Sequence, residues 1–217
     1  VGTADQARRA LNWGVDALIA QGAEAGGHLV GESPAAAFLP KARDLAGGRP
    51  VFLAGGVATA ADTRAALDAG ADAVVAGTRF LLTHESGAHP EYQRRLLEAE
   101  TTYRTMLFGL GWPAPHRVVG NAATRRWCDA SGTAKRLPVW INARSEFMAR
   151  LGDVPPAVLV RWQRPALPLF SPAAPTRAMP AAWVDRTALY AGESVLRMAA
   201  VIPARDAVAE LSPAQGV

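Results

Sequence analysis

Short apolar runs alternate with amphipathic segments over the first eighty residues of the chain. The runs at residues 17–20, 51–54 and 73–76 contain no charged residue, as expected for short strands buried in a sheet. Helical segments stand between them: one begins with a capping-box pattern at Thr3, and another helix start is indicated at Thr59. Apolar strands that alternate with capped helices predict a parallel sheet covered by helices, which is an α/β fold.

Two parts of this region resemble each other. Residues 7–22 and 63–78 both contain a helical segment, a glycine, Asp-Ala, an apolar run and a final glycine. Such self-similarity indicates repeated helix–strand units. A complete eight-stranded barrel takes about 250 residues, whereas three strands are visible here, with Val1-Gly2 as the end of a fourth. The sequence therefore predicts the second half of a TIM (β/α)8 barrel, as part of a larger protein.

The pattern changes after Leu81. We expect a loop at residues 84–89, a charged helix at 90–106, and then an irregular region rich in tryptophan and proline. Residues 150–183 are especially rich in proline and favour no regular element. A last helix is predicted at 195–211, interrupted by Pro203.

Composition and charge exclude several classes of protein. The formal net charge is only +4, and the basic residues are scattered pairs, so a nucleic-acid-binding surface is not expected. No apolar run is long enough to span a membrane, and the first residues do not resemble a signal peptide. The single Cys128 excludes an internal disulfide, and no cluster of Cys and His indicates a metal site. A cytoplasmic location is the simplest expectation; the oligomeric state stays open, a homo-oligomer included.

Three predicted strands end in glycine, and these ends are candidates for ligand binding. They are Gln21-Gly22, Gly55-Gly56 and Gly77-Thr78. In parallel α/β proteins ligands lie at the carboxyl ends of strands, where backbone N–H groups are available. The last two ends would follow strands 7 and 8 of a barrel, the usual place for a phosphate. We favour a phosphate site there, formed by the Gly56 and Gly77 amides and the Thr78 hydroxyl, over plain turns.

His28 follows the glycine-rich stretch 21–28 and is the best candidate for acid–base chemistry. A lone loop histidine is usually inert, but Gly26-Gly27 lets a ligand approach it, which favours a general base. Glu24 either orients this loop or is a solvated carboxylate. The remaining candidates have no comparable setting and are expected to be structural: His84, His89, His116 and the Cys128 thiol.

Four stretches resemble the nitronate monooxygenase family, also called 2-nitropropane dioxygenases. They are AQGAEAGGH at 20–28, LAGGVATAADTRAAL at 53–67, ADAVVAGTRFLLTHESGAHPEY at 71–92 and LYAGESV at 189–195. The resemblance implies an FMN-binding TIM barrel with a smaller domain inserted after the last strand. It divides the chain into residues 1–80 as the second half of the barrel, 81–188 as a lid-like insertion, and 189–217 as the returning barrel helix.

The resemblance also implies roles for individual residues. His28 would be the catalytic base, with Gln21 and Gly26 facing the flavin and Gly56, Gly77 and Thr78 holding its phosphate. The full set of expected FMN contacts is Gln21, Gly22, Gly26, Gly27, Gly55, Gly56, Gly77 and Thr78, with no metal ligand. The chain departs from the family in having Val75 where glutamine is usual, and in lacking the first barrel strands.

The function implied is FMN-dependent oxidative denitrification of nitronates or nitroalkanes by O2, which yields carbonyl compounds and nitrite. One alternative is a flavin-dependent NAD(P)H reductase, because the enoyl-acyl-carrier-protein reductases and some quinone reductases share the EAGGH loop and the Gly-Thr strand end. The other is a non-catalytic half-barrel that binds a phosphate ligand or pairs with another chain. An incomplete barrel leaves unpaired strand edges, which motivates this last reading.

Overall fold

The structure is a computed structural model that describes residues 1–148 and 156–213, without the side chain of Pro156. Within these residues the 3-10 helices include Ala181–Arg186 and Glu193–Arg197. The strands and α-helices, in chain order, are α1 (Ala4–Asn12), β1 (Leu18–Gln21), β2 (Gly27–His28), α2 (Ala35–Ala46), β3 (Val51–Ala54), α3 (Ala60–Asp68), β4 (Ala73–Val75), α4 (Thr78–Leu81), α5 (Pro90–Leu97), β5 (Tyr103–Thr105), β6 (His116–Val118), α6 (Ala122–Trp127), α7 (Arg136–Asn142), α8 (Pro156–Trp162) and α9 (Ala204–Leu211).

The chain forms two compact units. Unit 1 contains Val1–Ser86 and the segment that begins at Gly192, and unit 2 is Gly87–Ala191. Each unit has its own hydrophobic core. The chain therefore leaves unit 1 after Ser86 and returns to it about a hundred residues later.

Unit 1 is built on a parallel sheet in the order β1-β3-β4. Helix α2 connects the first pair of strands and α3 the second, so the predicted α/β alternation is confirmed. The register pairs Gln21 with Ala54 and Ala54 with Val75. The three strands therefore end level with one another, and the glycines that follow them lie along the same edge of the sheet.

One face of this sheet packs against helices. Leu18, Ala20 and Leu53 are buried in the same cluster as Phe38 and Leu39 of α2. Alternate positions are open, since Ile19 is 45% and Val75 41% exposed. Among the described residues, β1 and β4 therefore each present an apolar side chain to solvent.

The first residue of the chain lies beside β1. The Val1 amino group donates to the Ile19 carbonyl at 2.8 Å, and the Gln21 amide donates to the Val1 carbonyl at 2.9 Å. These two bonds are of the kind that joins neighbouring strands.

The helix starts and ends that the sequence indicates in unit 1 are confirmed at α2 and α3. At α1 only part of the predicted N-terminal cap is confirmed. Thr59 and Asp62 form a reciprocal capping box, and α2 ends at Gly47, whose φ of +60° suits glycine. At α1, Thr3 accepts from the Gln6 amide, but the Gln6 side chain reaches Gly2 and the Val30 carbonyl instead of Thr3. The predicted capping box at Thr3 is therefore wrong in its second half.

Unit 2 contains an antiparallel strand pair and a separate core. Strand β5 pairs with β6, with Tyr103 opposite Val118 and Thr105 opposite His116. Phe108 and Phe170 are fully buried, with ring centroids 5.5 Å apart. This part contains more regular structure than the sequence predicted, because α6, α7 and α8 all lie within the region expected to be irregular. Of the proline-rich stretch 150–183, residues 150–155 lie outside the described residues.

Two helices predicted from the sequence are shorter in the structure. The helix expected at 90–106 ends at Leu97, and Tyr103–Thr105 is a strand. Thr101 and Thr102 are β-branched and precede an aromatic residue, a pattern that allows a strand. Strand β6 supplies the partner with which this strand pairs.

The last predicted helix is also corrected. Residues Glu193–Arg197 form a 3-10 helix, Ile202 bridges to Thr83 as extended chain, and only Ala204–Leu211 is α-helical. Pro203 is the N-cap, because proline suits the start of a helix and disrupts its interior. Proline has no side-chain acceptor that could cap the helix. Glu85 takes this role, because its Oε2 accepts from the Ala204 amide at 2.8 Å.

Candidate active site

The glycine-rich stretch 21–28 forms a closed loop at the end of β1. The Gln21 side chain joins the two sides of the loop, because its Nε2 donates to the His28 carbonyl and its Oε1 accepts from the Val30 amide, both at 3.0 Å. Inside the loop the Ala25 amide donates to the Gly22 carbonyl at 3.0 Å. Gln21 therefore shapes the loop directly, with both polar ends of its side chain in use.

Glu24 orients this loop, which resolves the two readings that the sequence left open. Its Oε1 accepts from the Ala35 amide at the start of α2, at 2.9 Å, where the helix has no side-chain cap of its own. The carboxylate lies so close to Gly22 that a Cβ there would be 2.3 Å from Oε2 and 2.3 Å from the Ala35 nitrogen. Gly22 is consequently required by the path of the chain.

The second strand end, Gly55-Gly56, approaches the same carboxylate. Gly55 and Gly56 have φ of +122° and +72°, values that L side chains rarely adopt. A Cβ on Gly55 would be 3.1 Å from Glu24 Oε1, and one on Gly56 would be 3.4 Å from Glu24 Cγ. The ends of β1 and β3 are therefore brought together around Glu24.

An ion pair holds Gly56 from the opposite side. The Arg197 guanidinium donates to the Gly56 carbonyl and to both carboxylate oxygens of Asp62, at 2.9 and 3.0 Å. Asp62 also accepts from the Ala58 and Thr59 amides at 2.8 and 2.9 Å. Partial burial opposes ionisation of Asp62, but these donors, Arg197 first, outweigh it and lower the pKa of the carboxyl group. The loop after β3 is therefore fixed at both of its ends.

The third strand end, Gly77-Thr78, is open. Gly77 is exposed, and a Cβ built on it would have no atom within 4 Å. Thr78 is buried, and its Oγ1 accepts from the Gly192 amide at 3.0 Å. A hydroxyl that accepts one hydrogen bond keeps its own proton to donate. The two residues thus offer backbone N–H groups and one O–H next to unfilled space.

Gly192 is a site residue that the sequence analysis missed. Besides contacting Thr78, it lies where a Cβ would be 2.8 Å from the Glu24 carbonyl oxygen and 2.9 Å from the Gly26 nitrogen. The next amide, of Glu193, donates to that carbonyl at 2.9 Å. The signal was present in the LYAGESV stretch, but only the fold shows that its glycine links the loop after β1 to the end of β4.

His28 follows Gly27, which has φ of +80°, and it joins the site through its backbone carbonyl on Gln21. Its ring is partly buried, and this burial lowers the pKa of the imidazole. A histidine with a lowered pKa is neutral at pH 7 and has a lone pair that can take a proton. The described contacts tie its backbone to the loop, and its ring is the nearest titratable base that the sequence places beside Gly26-Gly27.

The other candidate side chains are structural, as expected. His89 caps α5, since its Nδ1 accepts from the Glu91 amide at 3.0 Å. His116 is fully buried and its Nε2 accepts from the Phe108 amide at 3.1 Å. Cys128 is buried, and burial raises the pKa of its thiol. Within residues 1–148 and 156–213 no group of three or more acidic, His or Cys side chains could hold a metal ion.

In the same part of the chain, no helix combines the length and the apolar character that crossing a bilayer requires.

Comparison with known proteins gives a family for the chain. The family model described as nitronate monooxygenase matches residues 1–214. A Bacillus subtilis protein named as a probable nitronate monooxygenase is 40% identical over 121 residues, which cover 50% of this chain and 35% of the relative. A nitroalkane oxidase structure from Streptomyces ansochromogenes superposes with a TM-score of 0.69 at 29% identity, over 97% of this chain and 55% of that one.

Another relative carries a different name. It is the (3aS,4S,5R,7aS)-5-hydroxy-7a-methyl-1-oxo-octahydro-1H-indene-4-carboxyl-CoA dehydrogenase of Mycobacterium tuberculosis, 40% identical over 124 residues that cover 55% of this chain. The match covers 34% of that protein. The chain thus spans about a third of the length of these curated relatives.

Proposed function

The chain belongs to the nitronate monooxygenase family, and from this premise we propose that its protein carries out FMN-dependent oxidative denitrification of nitronates or nitroalkanes. The products would be a carbonyl compound and nitrite, with O2 as the oxidant. The observation that supports this most directly is the level edge of the parallel sheet, where three glycine-bearing strand ends lie side by side and His28 follows the first.

The strand ends fit the phosphate of FMN. Among the described residues the backbone N–H groups of Gly55, Gly56 and Gly77 donate to no other group, and phosphate oxygens are suitable acceptors for such amides. Glu24 already fills the space beside Gly22 and Gly55, and its negative charge would repel an anion. We therefore assign the phosphate to Gly56, Gly77 and Thr78, on the side where Gly77 faces unfilled space.

The remaining contacts of the flavin would come from the loop after β1. Gly26 and Gly27 carry no side chain, so a planar ring could approach their backbone closely. Gln21 and Gly22 would act by fixing the shape of that loop, Gln21 through its bonds to His28 and Val30. When bound, FMN supplies the electron transfer that the amino-acid side chains cannot perform.

In the proposed reaction His28 moves a proton. A ring nitrogen of the neutral imidazole would take the proton from the carbon next to the nitro group of a nitroalkane, and the lowered pKa keeps that nitrogen unprotonated at neutral pH. A nitronate arrives with this proton already removed. The role of His28 should therefore matter for neutral nitroalkanes far more than for nitronates.

The domain organisation that we propose follows the same family. Residues 1–80 would be the second half of an eight-stranded barrel, residues 81–188 an inserted domain, and residues 189–217 the return to the barrel. Support comes from the parallel sheet with helices on one face, from the apolar side chains of Ile19 and Val75 on the other, and from the separate compact unit Gly87–Ala191.

A second candidate function is flavin-dependent hydrogen transfer, with NAD(P)H or an acyl thioester in place of a nitro compound. The observation that favours it is the similarity to a protein named as a carboxyl-CoA dehydrogenase. The glycine-rich site would serve either reaction, because its proposed task is to hold the flavin.

The two candidates are separated by the compound that reduces the flavin. We expect a nitronate, mixed anaerobically with the FMN-loaded protein in a stopped-flow instrument, to bleach the flavin absorbance, and NAD(P)H to leave it unchanged. Bleaching by NAD(P)H alone would instead favour the reductase.

Replacing His28 by Asn tests the base. We expect His28→Asn to lose turnover of neutral nitroalkanes by a factor of about 100 or more, while it keeps turnover of the preformed nitronate and keeps FMN bound. His84→Asn is the matched control and should retain both activities. Equal losses with the two substrates would contradict a role for His28 in proton removal.

A further inference from the structure

Unit 2 contains a cavity that the proposed reaction does not use. Its volume is about 540 Å³, within the usual range for small-molecule sites of roughly 300–1,000 Å³. The wall is mostly apolar, and it is formed by residues from four separate stretches, among them Leu110, Trp112, Met148, Leu159, Trp162 and Leu169. Trp112 and Trp162 are 56% and 75% exposed, so large aromatic surfaces stand at its rim.

The polar side chains in the wall are already satisfied by the protein. Gln163 and Ser171 are both buried. In the amide orientation that satisfies both ends of Gln163, its N–H donates to the Arg186 carbonyl at 2.7 Å, and its oxygen accepts from the Ser171 hydroxyl and amide at 2.5 and 2.9 Å. The interior of the cavity therefore favours an apolar ligand, because little hydrogen-bonding capacity remains in its wall.

Two residues of the cavity wall, Trp162 and Gln163, contact arginines that are not themselves part of the wall. The guanidinium groups of Arg164 and Arg186 both donate to the backbone carbonyl of Gln163, at 2.9 and 2.8 Å. Arg161 lies over the ring of Trp162, with its Cζ 6.0 Å from the centroid. In the part of the chain that the structure describes, none of these three arginines forms an ion pair with a carboxylate. The nearby Asp185 is engaged with Arg95 and Arg125 instead.

The arginine pair is electrostatically strained. Two guanidinium groups that share one acceptor repel each other, and burial followed by the charge of Arg164 lowers the pKa of Arg186. Arg186 Nε is buried and has no hydrogen-bond partner among the described residues. An anion beside the exposed guanidinium of Arg164 would relieve the repulsion. It could accept from the guanidinium fork in the bidentate manner that carboxylates and phosphates allow.

We propose that unit 2 binds a small amphipathic anion, whose apolar body fills the cavity and whose carboxylate or phosphate group contacts Arg164 and Arg186. This inference does not depend on the proposed denitrification, because it needs neither the flavin nor the glycine-rich edge of unit 1. The apolar wall favours a ligand with an apolar body, and the arginines favour a ligand with a negative charge.

Isothermal titration calorimetry on the full chain tests the proposal without measuring turnover. The probes are dodecanoate, dodecyl phosphate and 1-dodecanol, each below its aggregation concentration. We expect saturable binding of at least one anion, with a Kd about tenfold or more below that of the neutral alcohol. The comparison of dodecanoate with dodecyl phosphate shows which head group the arginines prefer.

Variants identify the residues involved. Arg164→Gln and the double variant with Arg186→Gln should weaken anion binding by about tenfold or more and leave binding of 1-dodecanol unchanged. Arg205→Gln, at an arginine that is 85% exposed in unit 1, is the control and should behave as the original protein. Arg164 is exposed, so its single substitution keeps the test valid if the double variant fails to fold.

A cavity-filling variant locates the apolar part. Leu159→Trp should abolish the binding of all three probes while the circular dichroism spectrum stays unchanged. The proposal is overturned if dodecanol binds as tightly as the anions, if Arg164→Gln binds the anions as tightly as the original, if Leu159→Trp still binds them, or if no probe binds.

Discussion

The glycine-rich edge of unit 1 and the cavity of unit 2 are built by opposite means. At the edge, the ligand space that we propose exists because side chains are missing, and we assign backbone groups of Gly56, Gly77 and Thr78 to it. In the cavity, space is enclosed by large side chains from stretches that are far apart in the sequence. The edge should therefore be sensitive to the addition of a single carbon atom, whereas the cavity should depend on charge and volume.

The largest effect that this comparison predicts is that of Gly22→Ala. The new Cβ would be 2.3 Å from both the Ala35 nitrogen and the Glu24 carboxylate, and neither can move without disturbing the start of α2. We expect the free energy of unfolding in urea to fall by about 2 kcal/mol or more. Gly87→Ala is the control, because no atom lies within 4 Å of its Cβ position. Equal denaturation midpoints for the two variants would show that the edge tolerates side chains.

Gly77→Ala sharpens the comparison by separating fold from ligand binding. Its Cβ position is open and its backbone is not strained, so the free energy of unfolding should change by less than about 0.5 kcal/mol. The same carbon would enter the space assigned to the flavin phosphate. We expect FMN affinity, measured by quenching of flavin fluorescence, to fall by about tenfold or more. Unchanged FMN affinity in this variant would show that Gly77 is not part of the phosphate site.

The smallest effect concerns the ion pair that holds Gly56. Asp62→Asn removes the charge that binds Arg197 and weakens the capping box, which should destabilise unit 1 by about 1 kcal/mol at pH 7. The pKa of Asp62 is lowered in the folded state, so its stabilising effect is present above the ordinary carboxyl pKa of about 3.9 and is lost as pH falls below it.

The measurement is urea unfolding of the original and the variant across that pH range. Their difference in stability should shrink towards zero in acid. Asp68→Asn is a matched control on the same helix. The Asp68 carboxylate makes no hydrogen bond or ion pair among the described residues. A difference for Asp62→Asn that is constant with pH would show that the carboxylate charge has no part in holding the loop.

The sequence predicted the edge well because its determinants are local. Each strand and the glycines after it are adjacent in the chain, and the box at Thr59 and Asp62 spans one helical turn. Parallel pairing then places the strand ends level without further information. The prediction failed where an element depends on a distant partner: residues 103–105 form a strand because residues 116–118 lie beside them.

The same distinction explains which site residues were missed. Glu24 had two equal interpretations until its acceptor role toward Ala35 was seen. The roles of Gly192 and Arg197 depend on contacts with residues more than 100 positions away. The cavity of unit 2 was not predicted at all, since no local pattern joins Trp112 to Trp162 and Leu169.

The bond between Gly192 and Thr78 also bears on how the protein is made. Its two residues are 114 positions apart, and the Glu193 amide that holds the Glu24 carbonyl follows directly. While the ribosome is still adding unit 2, the loop after β1 has no such support, although its own strand and helix have already emerged. In the flavin site that we propose, the loop after β1 gains this support only after Gly192 and Glu193 have been translated, so we expect cofactor loading to be a late event in biosynthesis.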